Sequence, residues 1–424
     1  MTDLYPEPLR GHGAQVEWDV ADAAPALFAR LLQDAPWVAE ELVRYRAAVP
    51  AATTCEPFAT DTYFRPALHL RCFYRRGPGS GVIPIKGTEV VADDVLPTMA
   101  NLRTLRHKAT LLSALEHFAV REHKVPWALL RSEAFSEATA AAQFQGAHLH
   151  HYGTLARAPV PLLIYAWPKE VAEQHCERLG GLVSDYAAQS IHRLVADGGL
   201  AVYLYYYAGM PYRWRDIEPR LAGVRSVSGY AKRWAELGKH FDPHVAIMGW
   251  TRMLVRILAL GYFPCILSQL ASGNCLQPQN VAIDGGLFDL DSLQPFDKVL
   301  DEREFRETFF TSLTFFTQTL QSVCQQSYFD PVDLGVGVNF TMTFARLWDE
   351  LKRLADEERR NGAVFDARLE KIWVGTSGFV DDLHATFNAM YPPSLSQHVG
   401  TAATAPRQPG AGQGAAAATP ADEG

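Results

Sequence analysis

The stretch SGNCLQPQNVAIDGGLFDLD, residues 272–291, decides how this chain of 424 residues is read. A polar turn from Leu276 to Asn280 leads into a short apolar run, Val281 to Ile283. The turn Asp284-Gly285-Gly286 follows, and a second run, Leu287-Phe288, ends on Asp289. Glycine adopts the positive φ that tight hairpin turns require, so D-G-G between two apolar runs signals a β-hairpin. Such a hairpin brings Asn280 and Asp289 to the same end. An amide oxygen beside a carboxylate suits a hard cation such as Mg²⁺ whose other ligands are triphosphate oxygens. The same residues also fit a polar turn that caps a hairpin and leaves its carboxylate in solvent.

Outward from this stretch, the C-terminal side reads as helical. Asp242-Pro243 is a helix start, a cap followed by proline in the first turn. Val245, Met248, Leu254, Ile257 and Leu258 then lead to Gly261 as a stop. The same apolar spacing predicts helices at 301–324, 338–358 and 366–391. On the N-terminal side, Thr62 to Tyr74, Val82 to Lys86, Leu162 to Trp167 and Leu200 to Tyr207 are rich in aromatic and branched residues and read as strands. The expected fold class is therefore α+β. It comprises an N-terminal extension (1–50), a mixed lobe (51–207), a helical lobe (208–393) and a tail (394–424) too poor in large apolar residues to order itself.

Bulk properties narrow the function classes. At 48% hydrophobic residues the chain can bury a large core, and its net charge of −8 is not collected in one tail. No Lys/Arg run interleaves with aromatics, which argues against a nucleic-acid partner. The six cysteines lie far apart, with no C-x-x-C pair, as in a reducing compartment. No signal-like N-terminus is present, and no apolar run reaches the roughly 20 residues that span a bilayer. A cytoplasmic protein without membrane contact is the expectation.

The run L-Q-P-Q-N-V-A-I-D, Leu276 to Asp284, resembles the L-K-P-E-N-I-x-x-D catalytic-loop pattern of protein kinases. The nine positions from Asn280 to Asp289 resemble the spacing in the selenoprotein O family of protein adenylyltransferases. Val82-Ile-Pro-Ile-Lys86-Gly87 looks like the kinase strand whose lysine holds the nucleotide phosphates, and a lysine ending an apolar strand is an odd choice unless it meets an anion. The preceding Gly77-Pro-Gly-Ser-Gly81 reads either as a phosphate-covering loop or as a plain hairpin connection. The resemblance implies a two-lobed kinase-like fold that binds ATP and Mg²⁺, with Asn280 and Asp289 as metal ligands and Lys86 on the phosphates. Glu116, on an amphipathic helix expected over 101–123, is the choice for the carboxylate that orients Lys86, with Glu122 second. The implied activity is transfer of AMP, or of phosphate, to a protein or peptide.

Departures from the pattern carry the alternative. Cys275 stands where the kinase catalytic aspartate would be, and Gln279 stands where selenoprotein O has an aspartate before the asparagine. Neither is a general base at neutral pH. A pseudokinase acting as an interaction or peptide-modification accessory protein is therefore the second expectation. An aminoglycoside-type small-molecule kinase is weaker still. Asp284 and Asp291 are carboxylates of no assigned position. Arg213, Arg215, Arg220, Arg225 and Arg233 are candidates for phosphates or an acidic substrate segment. His148 and His150 would share a face on a strand, although structural histidines are the better reading. Tyr203, Tyr205, Tyr206 and Tyr207 alternate as in a buried strand or an interlobe hinge.

Overall fold

A computed structural model of the chain describes residues 15–47, 56–57, 72–78, 81–87, 116, 119–120, 125, 128–181, 183–209, 213–214, 242–265, 275–278, 280–327 and 336–390. The chain divides into two units, Met1–Lys371 and Ile372–Gly424. The described part of the second is the continuation of one long helix to Met390.

One sheet organises the first unit. Its strands are β1 (Val16–Asp19), β2 (Glu56–Pro57), β3 (Cys72–Arg76), β4 (Val82–Lys86), β5 (Leu129–Leu130), β6 (Val160–Ala166) and β7 (Leu200–Tyr206). They run antiparallel in the order β1-β6-β7-β4-β3-β2, with β5 also on β7. The class is α+β, as expected. Every residue of β7 is buried, because the sheet is covered on both faces. Val202, Leu204 and Tyr206 join one core with Ile83 and Ile85. Tyr203, Tyr205 and Tyr207 join the other with Val82, Ala134, Ala138 and Phe288. The tyrosine alternation is thus the period of two of a doubly buried strand.

The helices are α1 (Val20–Ala23), α2 (Pro25–Asp34), α3 (Trp37–Ala47), α4 (Arg131–Tyr152), α5 (Lys169–Gly180), α6 (Asp185–Gly198), α7 (Pro243–Ala259), α8 (Glu302–Ser327), α9 (Val336–Arg360) and α10 (Ala367–Met390). A two-residue ladder pairs β8 (Tyr262–Phe263) with β9 (Gln294–Pro295). Asp242 caps α7 by accepting from the backbone N–H groups of His244 and Val245 at 2.9 and 3.3 Å, and α8, α9 and α10 fall close to their expected bounds. The stretch 1–50, read as an extension, contributes more than a leader: β1 extends the sheet beside β6 and α2 buries Leu27 and Leu31 in the core. Of the strand expected over 62–74, residues 62–71 lie outside the described residues.

Sequence periodicity did not reveal α4. The buried stripe of its first three turns is Ala134, Ala138 and Ala141, small residues that let the helix approach the sheet, and among its fully buried residues Phe144 is the one large apolar side chain. Gln145, fully buried on α4, fixes the chain beyond it. Its amide accepts from Ala156 N at 2.9 Å and donates to the carbonyls of Ala156 and Ala158 at 3.1 and 2.9 Å. His148 lies on this helix, not on a strand, so the shared strand face with His150 does not arise, and His148 is a buried, hydrogen-bonded histidine. Its Nδ1 meets Thr154 O at 2.8 Å and its Nε2 meets Arg256 Nη1 at 3.3 Å. Since guanidinium only donates, Nε2 accepts and the proton sits on Nδ1. Arg256 also pairs with the buried Glu358 at 3.1 Å and lies over the Tyr152 ring, tying α4, α7 and α9 together. No described helix is long and apolar enough to cross a membrane.

Burial, with Arg256 also opposing a second positive charge, lowers His148 from an ordinary value of 6.5 to about 4. A histidine neutral in the folded state and charged in the unfolded one weakens the fold as pH falls below 6.5. Urea titrations between pH 7 and 4 should show a loss approaching about 3 kcal/mol from this group, and His148→Gln should flatten that part of the slope. An equal slope in the variant would show that His148 titrates freely.

Candidate functional site

Lys86 ends β4, and the strand register explains where its side chain goes. Ile83 and Ile85 belong to one core while Val82 faces the other, so Lys86 shares the face of Val82. Across the ladder it is opposite Tyr203, which lies on that same face. Helix α4 covers this face, and between Ala134 and Ala138 it carries Glu137, whose Oε1 accepts from Lys86 Nζ. The Lys86 side chain is 8% exposed and that of Glu137 is 13% exposed. Gly87 follows with φ of 88°, and a Cβ there would meet the Ala201 carbonyl oxygen at 2.3 Å. The glycine of the I-K-G run thus serves the close approach of β4 to β7.

The expected D-G-G hairpin is present. Val281 bridges Leu287, Ala282 N donates to Gly286 O at 2.8 Å, and Phe288 N donates to Asn280 O at 2.7 Å. The pairing therefore places Asn280 and Asp289 at the same, open end of the hairpin. Gly285 has φ of 88° and packs its backbone on Gly249 of α7, where a Cβ would come within 2.6 Å of the Gly285 Cα. Trp250 Nε1 donates to Ala282 O at 2.7 Å. Helix α7 thereby fixes the hairpin at its turn, and Asp289 at the other end reaches Lys86, with 3.8 Å between Oδ1 and Nζ. Asp289 has φ of 49°, a left-handed conformation that aspartate tolerates better than most residues, and no other non-glycine residue described has positive φ.

Arg213 completes the group. Its backbone bridges Ala282, and Trp214 N donates to Val281 O at 2.9 Å, so this segment lies alongside the hairpin. The guanidinium sits 4.8 Å from the Phe288 ring centroid and faces both carboxylate oxygens of Asp289, at 3.3 and 3.5 Å. Two carboxylates and two cations, Glu137, Lys86, Asp289 and Arg213, thus form a neutral chain from α4 through the sheet to the hairpin. Beside it is a small cavity of about 10 Å³, room for about one water, bounded by Glu137, Tyr203, Tyr205, Phe288 and Asp289. The Tyr203 hydroxyl is buried there without a hydrogen-bond partner among the described residues. Burial pushes the Glu137 carboxyl up, Lys86 pulls it back only in part, and Asp289 adds to the rise.

Glu116 is not the partner of Lys86. Its carboxylate accepts from Ser184 N at 2.9 Å, ahead of α6. Nearby Ala119 belongs to the core on the other side of the sheet, which keeps Glu116 away from the lysine's face. Glu122 and Gln279 lie outside the described residues, as do Arg215, Arg220, Arg225 and Arg233. Gly77 N donates to Gly81 O at 2.9 Å, closing the β3–β4 hairpin at the end of β4 opposite Lys86. That connection is the plain one. Asp284 is held in the turn by Tyr207 Oη at 2.7 Å and Gly286 N at 3.3 Å. Cys275 is fully buried and its thiol is pushed well up by desolvation, so it is no base.

Asp289, one of the two residues expected to hold a metal, is engaged here by Lys86 and Arg213. Among the described residues no group of three His, Cys, Asp or Glu could hold a metal. No protein-family model matches the chain, and no curated protein matches its sequence.

Removing one member of a buried pair strands the other. Lys86→Met, which leaves Glu137 and Asp289 facing each other, should cost about 3 kcal/mol in urea unfolding at pH 7. Glu137→Gln, which leaves Lys86 with Asp289, should cost less than half of that. The Lys86→Met deficit should shrink as pH falls through the raised folded pKa of Glu137, because protonation then favours the folded state. Equal costs for the two variants would mean that Asp289 does not share the lysine.

Proposed function

We propose that this chain is a nucleotide-binding protein on a kinase-like, two-lobed plan that engages the phosphates of ATP through Lys86. It acts as a pseudokinase, an interaction or accessory protein for a protein or peptide partner in the cytoplasm. The observation that carries the reading is the Lys86–Glu137 pair: a strand-end lysine held by a carboxylate from the helix packed on its face, 3.8 Å from the aspartate that ends the hairpin. A lysine already oriented by two carboxylates can meet a phosphate without first losing side-chain freedom. Kinases likewise pair their strand lysine with a helix glutamate and have a metal-binding aspartate nearby. That parallel supports the plan.

Two features favour binding over transfer. Cys275 replaces the catalytic aspartate and is buried and protonated, and Asp284, the nearest alternative carboxylate on the loop, is committed to the turn. Transfer of AMP or phosphate to a protein or peptide is the second reading. It is favoured by the placement of Asn280 and Asp289 at one end of the hairpin, since positioning and charge supply most of the rate in such chemistry.

Thermal unfolding with ATP, in Mg²⁺ and in EDTA, tests the binding claim, because a ligand selective for the folded state raises the midpoint. A stabilisation of about 2.7 kcal/mol is expected at a hundredfold excess over Kd, and it should vanish in Lys86→Met. No shift in either buffer would overturn the reading. Incubation of the purified protein and candidate peptides with ATP labelled at the α or γ phosphate should leave both unlabelled. A transferred α label would establish AMP transfer, and a γ label phosphorylation.

A further inference from the structure

We infer that the Arg213–Asp289 pair is an autoinhibitory contact: Arg213 holds the carboxylate that a metal-bound nucleoside triphosphate takes, and ligand enters as the guanidinium gives way to the metal. The inference rests on the nucleotide reading of Lys86 given above. As the chain is folded here, Lys86 is held by Glu137 and lies 3.8 Å from Asp289, while Arg213 faces both oxygens of Asp289 at 3.3 and 3.5 Å. The cavity bounded by Glu137, Tyr203 and Asp289 has room for about one water. A triphosphate therefore reaches Lys86 only after one of these charged side chains moves.

Lys86, Glu137 and Asp289 are fixed by what carries them. Lys86 ends a fully buried strand opposite Tyr203. Glu137 stands on α4 between Ala134 and Ala138, both buried in the core on that face of the sheet. Asp289 has a short side chain, and its hairpin is tied to α7 through Gly285, Gly249 and Trp250. Arg213 differs. Its backbone is anchored by the bridge to Ala282 and by the fully buried Trp214 beside it. Its long side chain is 22% exposed and lies over the Phe288 ring at 4.8 Å. Rotation about its own bonds frees both Asp289 oxygens without moving any backbone. Mg²⁺ accepts a carboxylate oxygen and takes most of its other ligands from phosphates and water. One cation then replaces another, so Asp289 is never left uncompensated.

Equilibrium binding of ATP to the full chain in Mg²⁺ and in EDTA tests the contact, with wild type, Arg213→Gln and Arg213→Lys. Raising the population of a binding-competent state tightens the apparent affinity in proportion. Arg213→Gln should therefore bind ATP roughly tenfold tighter than wild type in Mg²⁺ and show no gain in EDTA. The sign is diagnostic, because losing a positive charge that merely attracted the phosphates would weaken binding. Arg213→Lys keeps the charge without the fork that spans both oxygens. It should gain less, and it serves as the second variant should the first fold poorly. Wild-type binding that Arg213→Gln leaves unchanged or weakens in Mg²⁺ would overturn the inference while leaving the nucleotide reading intact, as would an equal gain in both buffers. No binding by any of the three proteins in either buffer would instead remove the nucleotide reading, and the inference with it.

Discussion

The ion pair between Lys86 and Glu137 constrains everything around it. Burying a lysine and a glutamate on the covered face of a sheet is costly unless each is compensated. Here β4 must present its lysine on the side that α4 covers, α4 must be thin enough in Ala134 and Ala138 to let Glu137 reach it, and Asp289 must arrive from the hairpin. Glu137 alone would be pushed toward protonation by its burial. The lysine keeps that tendency in check, and Asp289 with Arg213 extends the pair into a neutral set of four.

The position of Asp289 is set from a distance. Gly285 and Gly249 bring the hairpin turn into backbone contact with α7, and Trp250 adds a hydrogen bond to Ala282. A side chain at either glycine would push backbone against backbone, where little can yield. At the other end, Asp289 turns the chain with φ of 49° into the short 3-10 helix of Leu290–Ser292. Strained, non-glycine backbone at a charged cluster is commonly retained for function.

How much of this was legible in the sequence depended on how local each interaction was. The hairpin at 281–288 and the placement of Asn280 and Asp289 at its one end follow from turn chemistry within ten residues, and both are present. Lys86 was legible because a charge at the end of an apolar strand is conspicuous. Its partner was not, since Glu137 lies 51 residues away on a helix whose buried face around it is Ala134, Ala138 and Ala141. Glu116 was the nearer carboxylate on an amphipathic pattern, but sequence does not say which side of a sheet a helix covers. Arg213 stood out only as one of five arginines, and its pairing with Ala282 across the chain distinguishes it. The stripe Ala134, Ala138 and Ala141, with Glu137 beside it one turn beyond the Glu133 that bonds the helix start, was the signal that could have revealed Glu137.

The central claim is that Lys86 lies against the phosphates of a bound nucleotide, and covalent capture tests it most directly. An acyl phosphate of ATP transfers its acyl group to a lysine amine held beside the phosphates, forming an amide and releasing ATP. Peptide mass spectrometry would then locate the acylated residue. The expected result is acylation of Lys86, suppressed by excess ATP. An unmodified Lys86 in a protein acylated only on exposed lysines, with no protection by ATP, would contradict the claim.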